Sequence, residues 1–280
     1  MTEYPKTPQG WTVLNRRSVG PFTTAVTYAH PDGSTVHWSS RAHRKHASRL
    51  SRVRLRHDSA WWAPHRASWW VAVLFILGSV CFAVAPLPFF VEQVGAPTDA
   101  VVFFVGSIFF TSAATLQWLE TVNSDREPAP SSEGSTRFLA WEPHRIDWWS
   151  SGVQLIGTVA FNVTTFRALS TAVDQPSYDQ VVWRPDAVGS ICFLVAGYLA
   201  YVEVAGGLRD PPPRTLEGTV VTVNLLGCLA FGVAAVADFV VPSTDHVLDV
   251  TVANAATAIG ALCFLVGAAL LLPEGSKART

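Results

Sequence analysis

Two histidines occupy matching places in a stretch that the chain writes twice, WAPHRASWW at 62–70 and WEPHRIDWW at 141–149. His65 and His144 each stand between a proline and an arginine. An imidazole beside a guanidinium can hold an anionic ligand, and paired imidazoles can begin a metal site. A metal site needs a third and usually a fourth ligand, and no CxxC or HExxH spacing supplies them. Cys81, Cys192, Cys228 and Cys263 all fall in apolar stretches, where they are expected to pack as small side chains. No GxSxG, P-loop or GxGxxG stands in the context those motifs require. The sequence therefore assigns no catalytic residue, no metal ligand and no cofactor, and the chain reads as non-enzymatic.

Each copy of the motif leads directly into a long apolar run. Of 280 residues 49% are hydrophobic and 15% charged, and the charge avoids several long stretches. Six apolar runs, near 69–90, 100–119, 148–167, 187–204, 218–239 and 250–272, have about the 20 residues that cross a bilayer. This pattern predicts an all-α membrane protein with six transmembrane helices. The other reading, a soluble core, would have to bury six such runs in one chain. The polar start MTEYPKTPQG predicts that the first span is kept as an anchor. Arg41, Arg44, Lys45, Arg49, Arg52, Arg54, Arg56 and Arg66 precede the first span. Arg126, Arg137, Arg145, Arg209, Arg214, Lys277 and Arg279 fall on the same side. Glu92, Asp99, Asp174, Asp179 and Asp245 occupy the opposite loops, where Arg167 and Arg184 are the only basic residues nearby. Basic loops stay inside, so both termini are expected in the cytoplasm of a multi-pass plasma-membrane protein.

The likeness of the two motifs continues into the spans. Gly78 aligns with Gly157, Phe82 with Phe161, and GSIFF at 106–110 with GSICF at 189–193. A third, weaker copy matches NLLGCLAF at 224–231 to QLIGTVAF at 154–161. The expected organisation is an N-terminal region at 1–58 and hairpin repeats at 59–122, 141–206 and 207–274. A polar loop at 123–140 and a tail at 275–280 complete it. Three two-span units enter from the same face, so they are parallel repeats about an axis along the membrane normal.

Leu77-Gly78-Ser79 with Gly106-Ser107-Ile108, and Gly157 with Gly189-Ser190-Ile191, resemble the YrhK-like family of small bacterial membrane proteins. The resemblance covers 62–120 and 141–204 well and 213–274 poorly. It implies a membrane hairpin and carries no activity.

Each residue class then has an expected role. Trp62, Trp69, Trp70, Trp141, Trp148 and Trp149 belong at headgroup depth, with Arg66 and Arg145 reaching phosphates. His65 and His144 go with that anchor, or form a cytoplasmic-face site. Gly78, Gly106, Gly157, Gly189, Gly227 and Gly260 allow close helix packing. Gln154, Asn162, Asn224 and Asn254 hydrogen-bond between helices, or line a polar cavity on the axis that a channel would use. Glu120, Glu203 and Glu274 close the hairpins at the cytoplasmic rim, where Arg66 and Arg145 are expected to pair with Glu120 and Glu203. In the N-terminal region, 25–40 predicts a β-hairpin around Pro31-Asp32-Gly33. The basic run 41–57 predicts a helix lying on anionic headgroups rather than on nucleic acid.

Overall fold

The computed structural model describes residues 5, 7–41, 62–64, 66–124, 136–171, 175, 177–241 and 246–277, with side chains as far as Pro273. The basic run beyond Arg41, His65 and the Glu274 side chain lie outside the described residues. So do Arg126, Asp174, Asp245 and Arg279 among the orientation charges.

The N-terminal strands β1 (Thr12–Val19), β2 (Phe22–Ala29) and β3 (Thr35–Ser39) form an antiparallel sheet in that order. The expected hairpin is β2–β3. Asp32 Oδ1 accepts from the Ser34 backbone N–H at 2.8 Å and from its hydroxyl at 2.6 Å, and Gly33 supplies the positive φ of 87° that the turn requires. These bonds hold the exposed Asp32 carboxyl down at about 2. β1 is an addition to the expected hairpin. Its exposed NRRS segment hides the alternation a strand normally displays, and two register shifts interrupt its pairing with β2. Val26, Tyr28 and Trp38 form the sheet's small core with Trp11 and Val13.

Among the described residues six long helices follow: α1 (Ala67–Val84), α3 (Ala96–Val122), α4 (Ile146–Ala168), α5 (Arg184–Ala205), α6 (Leu216–Ala237) and α7 (Val250–Lys277). The short α2 (Pro88–Val94) lies between α1 and α3. The first apolar run predicts a helix to about residue 90, but α1 stops at Val84. Pro86 has no N–H to continue the ladder, and Pro88 opens α2 at its first turn. Gly95, with φ 79°, then reverses the chain into α3. A π-helical turn, Asp179–Trp183, leads into α5, and the two-residue strands β4 (Val240–Val241) and β5 (His246–Val247) join α6 to α7.

Among the described residues five helices are long and apolar enough to cross a membrane: α1, α3, α5 with its π-helical turn, α6 and α7. The sixth expected span corresponds to α4, which has 23 residues but falls short in hydropathy. Its Ser150, Ser151, Gln154, Asn162, Thr164 and Thr165 lower the average. Gln154, Asn162 and Thr165 meet polar partners on α3.

The helices form a ring. Each packs chiefly on its two sequence neighbours, α1 on α3, α3 on α4, α4 on α5 and so on, and α7 returns against α1. One spacing builds the centre. All six helices carry glycine followed four residues later by phenylalanine: Gly78/Phe82, Gly106/Phe110, Gly157/Phe161, Gly189/Phe193, Gly227/Phe231 and Gly260/Phe264. Within each antiparallel pair the glycine of one helix lies under the phenylalanine of the other. A Cβ at Gly106 would stand 2.9 Å from the Phe82 ring, and one at Gly78 would stand 2.8 Å from Phe110. The same reciprocal contact links Gly157 to Phe193, Gly189 to Phe161, Gly227 to Phe264 and Gly260 to Phe231.

Four residues span about 6 Å of helix. Because alternate helices run in opposite directions, the six rings form two triads at successive depths. Phe231 touches Phe82 and Phe161 with centroids 6.2 and 6.0 Å apart. Phe264 touches Phe110 and Phe193 at 6.1 and 5.7 Å. Phe82–Phe110, Phe161–Phe193 and Phe231–Phe264 connect the triads at 5.4, 5.2 and 5.5 Å. All six side chains are buried, in one cluster with Val71, Phe75, Ala113, Ala261 and Ala268.

Gly106→Ala should therefore force α1 from α3 and cost about 1–3 kcal/mol, the usual range for overpacking. Phe82→Ala should cost about 3–5 kcal/mol through its cavity. Because each change acts on the same contact, the double variant should be less destabilised than the sum. Unfolding of the purified protein in detergent measures all three, and strict additivity would dissolve the proposed lock.

Candidate functional site

The repeated motif folds the same way twice. Trp62 meets Trp69 edge-on at 5.2 Å and Trp69 meets Trp70 at 4.9 Å. Trp141–Trp148 and Trp148–Trp149 repeat those separations at 5.2 and 4.9 Å. Trp70 Nε1 donates to the Pro64 carbonyl at 2.9 Å, and Trp149 Nε1 to the Pro143 carbonyl at 3.0 Å. Arg66 and Arg145 are the N-cap residues of α1 and α4, with φ/ψ of −103°/133° and −104°/127°. The proline-led turn thus delivers each arginine to the same backbone position. His144 is half-buried within it.

The arginine environments then diverge. The second copy has Glu142 and Asp147 where the first has Ala63 and Ser68. Arg145 is only 4% exposed and ion-paired to both acids. Its Nη1 donates to Glu142 Oε2 at 2.6 Å and to the Thr121 carbonyl at 3.1 Å. Its Nε donates to Asp147 Oδ1 at 3.0 Å, and Nη2 to Ser124 Oγ at 2.8 Å. An arginine at a helix N-terminus opposes that helix's dipole. Here the guanidinium reaches the C-terminal end of α3, where a cation is favoured, and Asp147 occupies the first turn of α4, where an anion is favoured. Sequence reading offered Glu203, or Glu120 by exchange, as partner and overlooked Glu142 and Asp147. The signal was present in the motif, as two acids gained within nine residues.

Glu120 and Glu203, expected at the rim, are buried. Glu203 accepts a short hydrogen bond from Ser40 Oγ, and Arg41 Nε lies 2.8 Å from Glu217 Oε1 in the first turn of α6. Val19 and Phe22 pack with Ile146, Leu199, Tyr201 and Val202. These contacts seat the N-terminal sheet on the motif-bearing end of the bundle.

The polar residues expected within the spans separate into different settings. Between antiparallel α3 and α4 three hydrogen bonds form a ladder. Gln117 Nε2 donates to Gln154 Oε1 at 3.2 Å, Asn162 Nδ2 to Thr111 Oγ1 at 2.7 Å, and Ser107 Oγ lies 2.8 Å from Thr165 Oγ1. Each is worth on the order of 0.6 kcal/mol in lipid. Asn224, aligned with Gln154, instead packs against Gly267 of α7. Phe75 occupies the aligned place in α1 and touches Phe110 at 5.6 Å. Asn254 is half-buried on α7. Gln154 and Asn162 therefore sit in the α3–α4 seam, apart from Asn224 on α6.

The opposite end holds a smaller polar group that the sequence did not single out. Trp183 Nε1 donates to the Ala235 carbonyl at 2.8 Å and its ring meets Phe239 at 4.8 Å. The Tyr178 hydroxyl lies 3.5 Å from Asp238 Oδ2. Burial pushes the Asp238 carboxyl up to about 6, partly offset by that hydroxyl, and burial also pushes Tyr178 up. No group of three or more potential metal ligands occurs among the described residues. Comparison with family models, with curated proteins and with solved structures returns no match.

Arg145→Gln strands two buried acids and should cost about 3–5 kcal/mol, whereas replacing Glu142, Arg145 and Asp147 together by Gln, Met and Asn should recover most of that loss. A triple variant as unstable as the single one would contradict the ion-pair account. At the other end, a carboxyl held above its ordinary value makes the folded state bind its proton more tightly. Its stabilisation is full below about pH 4 and declines as pH rises through about 6. Asp238→Asn should flatten the stability profile in that window, and an unchanged slope would assign the dependence to another group.

Proposed function

We propose that the chain is an integral membrane protein with a structural or accessory role rather than a catalytic one. It is built from three copies of a two-helix unit that give six spans. The repeated glycine–phenylalanine lock supports the threefold reading, as does the matching geometry of the two tryptophan motifs. α4 counts as the sixth span because it shares the ring and meets its polar groups with α3. The resemblance of the first two pairs to YrhK-like hairpins agrees with this unit. Both termini and the docked sheet lie in the cytoplasm, on the side of the tryptophan motifs, with anionic headgroups as neighbours and the plasma membrane as location.

The observation that carries the non-channel reading is the axis itself. Six buried phenylalanines fill it in two layers, and the three-rung polar ladder lies in a seam between neighbouring helices. A solute facilitator, the alternative that the parallel repeats first suggest, needs a polar path where these rings stand.

Reconstitution into sealed liposomes tests it. Flux of ions and small neutral solutes should match protein-free liposomes, and saturable flux above that level would establish the channel instead. In the same vesicles, membrane-impermeant thiol reagent should reach a cysteine placed at Asp99 from the face opposite the tryptophan motifs. It should miss one placed at Ser276, and the reverse pattern would invert the topology.

A further inference from the structure

We infer that residues 137–141, together with Leu208 on the next connection, are lipid-immersed straps that lie in the boundary between headgroups and acyl chains. The inference rests on the membrane reading and adds a lipid-contacting element that is not a helix.

The segment at 137–141 leaves an unusual set of side chains outside. Phe138 is 74% exposed, Leu139 82% and Trp141 77%. Its backbone is irregular, yet its polar groups are taken up by protein. Trp118 Nε1 donates to the Phe138 carbonyl at 3.0 Å, and Trp148 Nε1 to the Ala140 carbonyl at 2.8 Å. The Asn123 side chain donates to the Arg137 carbonyl and accepts from its N–H, both at 2.6 Å. Exposed loops in water have no need of indole donors for their carbonyls. A non-helical chain at the edge of hydrocarbon does, because no solvent there will serve.

Depth is set by the donors. Trp118 lies four residues before the end of α3, about 6 Å along its axis. Its ring covers Gly152 of α4, where a Cβ would come within 3.1 Å. The strap therefore hangs beside the α3–α4 seam rather than above it, and both helices of that seam expose apolar side chains farther along, Val105 and Ile108 on α3 and Ile156 and Val159 on α4. Arg137 is exposed at its start and can meet phosphate while its neighbours meet acyl chain.

The device recurs after α5. Gly206, in left-handed conformation, ends that helix, and the Tyr198 hydroxyl turns to donate to the Leu208 carbonyl at 2.9 Å. Leu208 is again exposed. In both connections an aromatic donor from the descending helix holds a carbonyl of the chain that leaves it, and an apolar side chain points away.

A dansyl amino acid incorporated at Leu139 of the full chain in liposomes tests the proposal. The same probe at Ile156 marks lipid and at Leu14, in the N-terminal sheet, marks water. These sites are 60% and 57% exposed. At position 139, lipids with a shallow nitroxide should quench strongly, and iodide should quench several-fold less than at position 14. Iodide quenching equal to that at position 14 would place the strap in water and overturn the proposal. Protection from both quenchers would overturn it in favour of a protein contact. If the probe at Ile156 also escapes lipid quenching, the membrane reading itself fails, whereas quenching there and not at 139 removes only the strap. Should the probe at 139 disturb folding, the same measurements at Phe138 decide the question.

Discussion

Close approach of helix backbones at glycine, with a phenylalanine of the partner laid across it, is the contact on which the remaining architecture depends. Lipid offers helices little hydrophobic reason to associate, so contact area and dispersion must supply the attraction. A glycine removes the side chain that would hold the axes apart, and a ring laid over it gains many atom contacts at once. Reciprocity doubles the effect, since each helix in a pair both gives and receives a ring. The ring of helices then closes because three such pairs direct their phenylalanines to one centre.

Once the centre is apolar and full, polar chemistry is displaced to the periphery. It appears in the α3–α4 seam, around Arg145 at one end and around Asp238 at the other. Arg145 shows how a costly group is accommodated. It is surrounded by two carboxylates, a hydroxyl and a helix-end carbonyl, so nearly every donor of the guanidinium has an acceptor. It fastens the start of α4 to the end of α3 without any covalent link, across a segment of about twenty residues.

Much of this was legible in the sequence. Glycine and phenylalanine recur at one spacing in all six helices, including α6 and α7, which no tryptophan motif precedes. The Pro-Asp-Gly turn announced β2 and β3. What escaped had physical reasons. Strand β1 exposes most of its side chains, so no alternation marked it. Glu142 and Asp147 were passed over because long-range partners were sought for an arginine that is neutralised within its own turn. Phe138 and Leu139 are two apolar letters in a polar loop, and only the indole donors reaching this stretch of backbone give them meaning. α4 falls below the other long helices in hydropathy because of amides and hydroxyls that meet partners on its neighbours.

That last feature bears on how the chain is made. A helix whose amides and hydroxyls are answered by its neighbours, Gln154, Asn162 and Thr165 by α3 and Ser150 and Thr164 by α5 and the turn before it, is poorly served alone in hydrocarbon. On the six-span reading proposed above, α4 enters the bilayer most readily with α3 beside it, since three of its polar side chains find their partners there. The later helices α5, α6 and α7 are each long and apolar enough to cross by themselves. The polar seam thus bears on the order of assembly: α3 and α4 meet through three side-chain pairs, whereas α5 with its π-helical turn meets α6 through bonds from Trp183 and Ser190 to the Ala235 and Phe231 carbonyls.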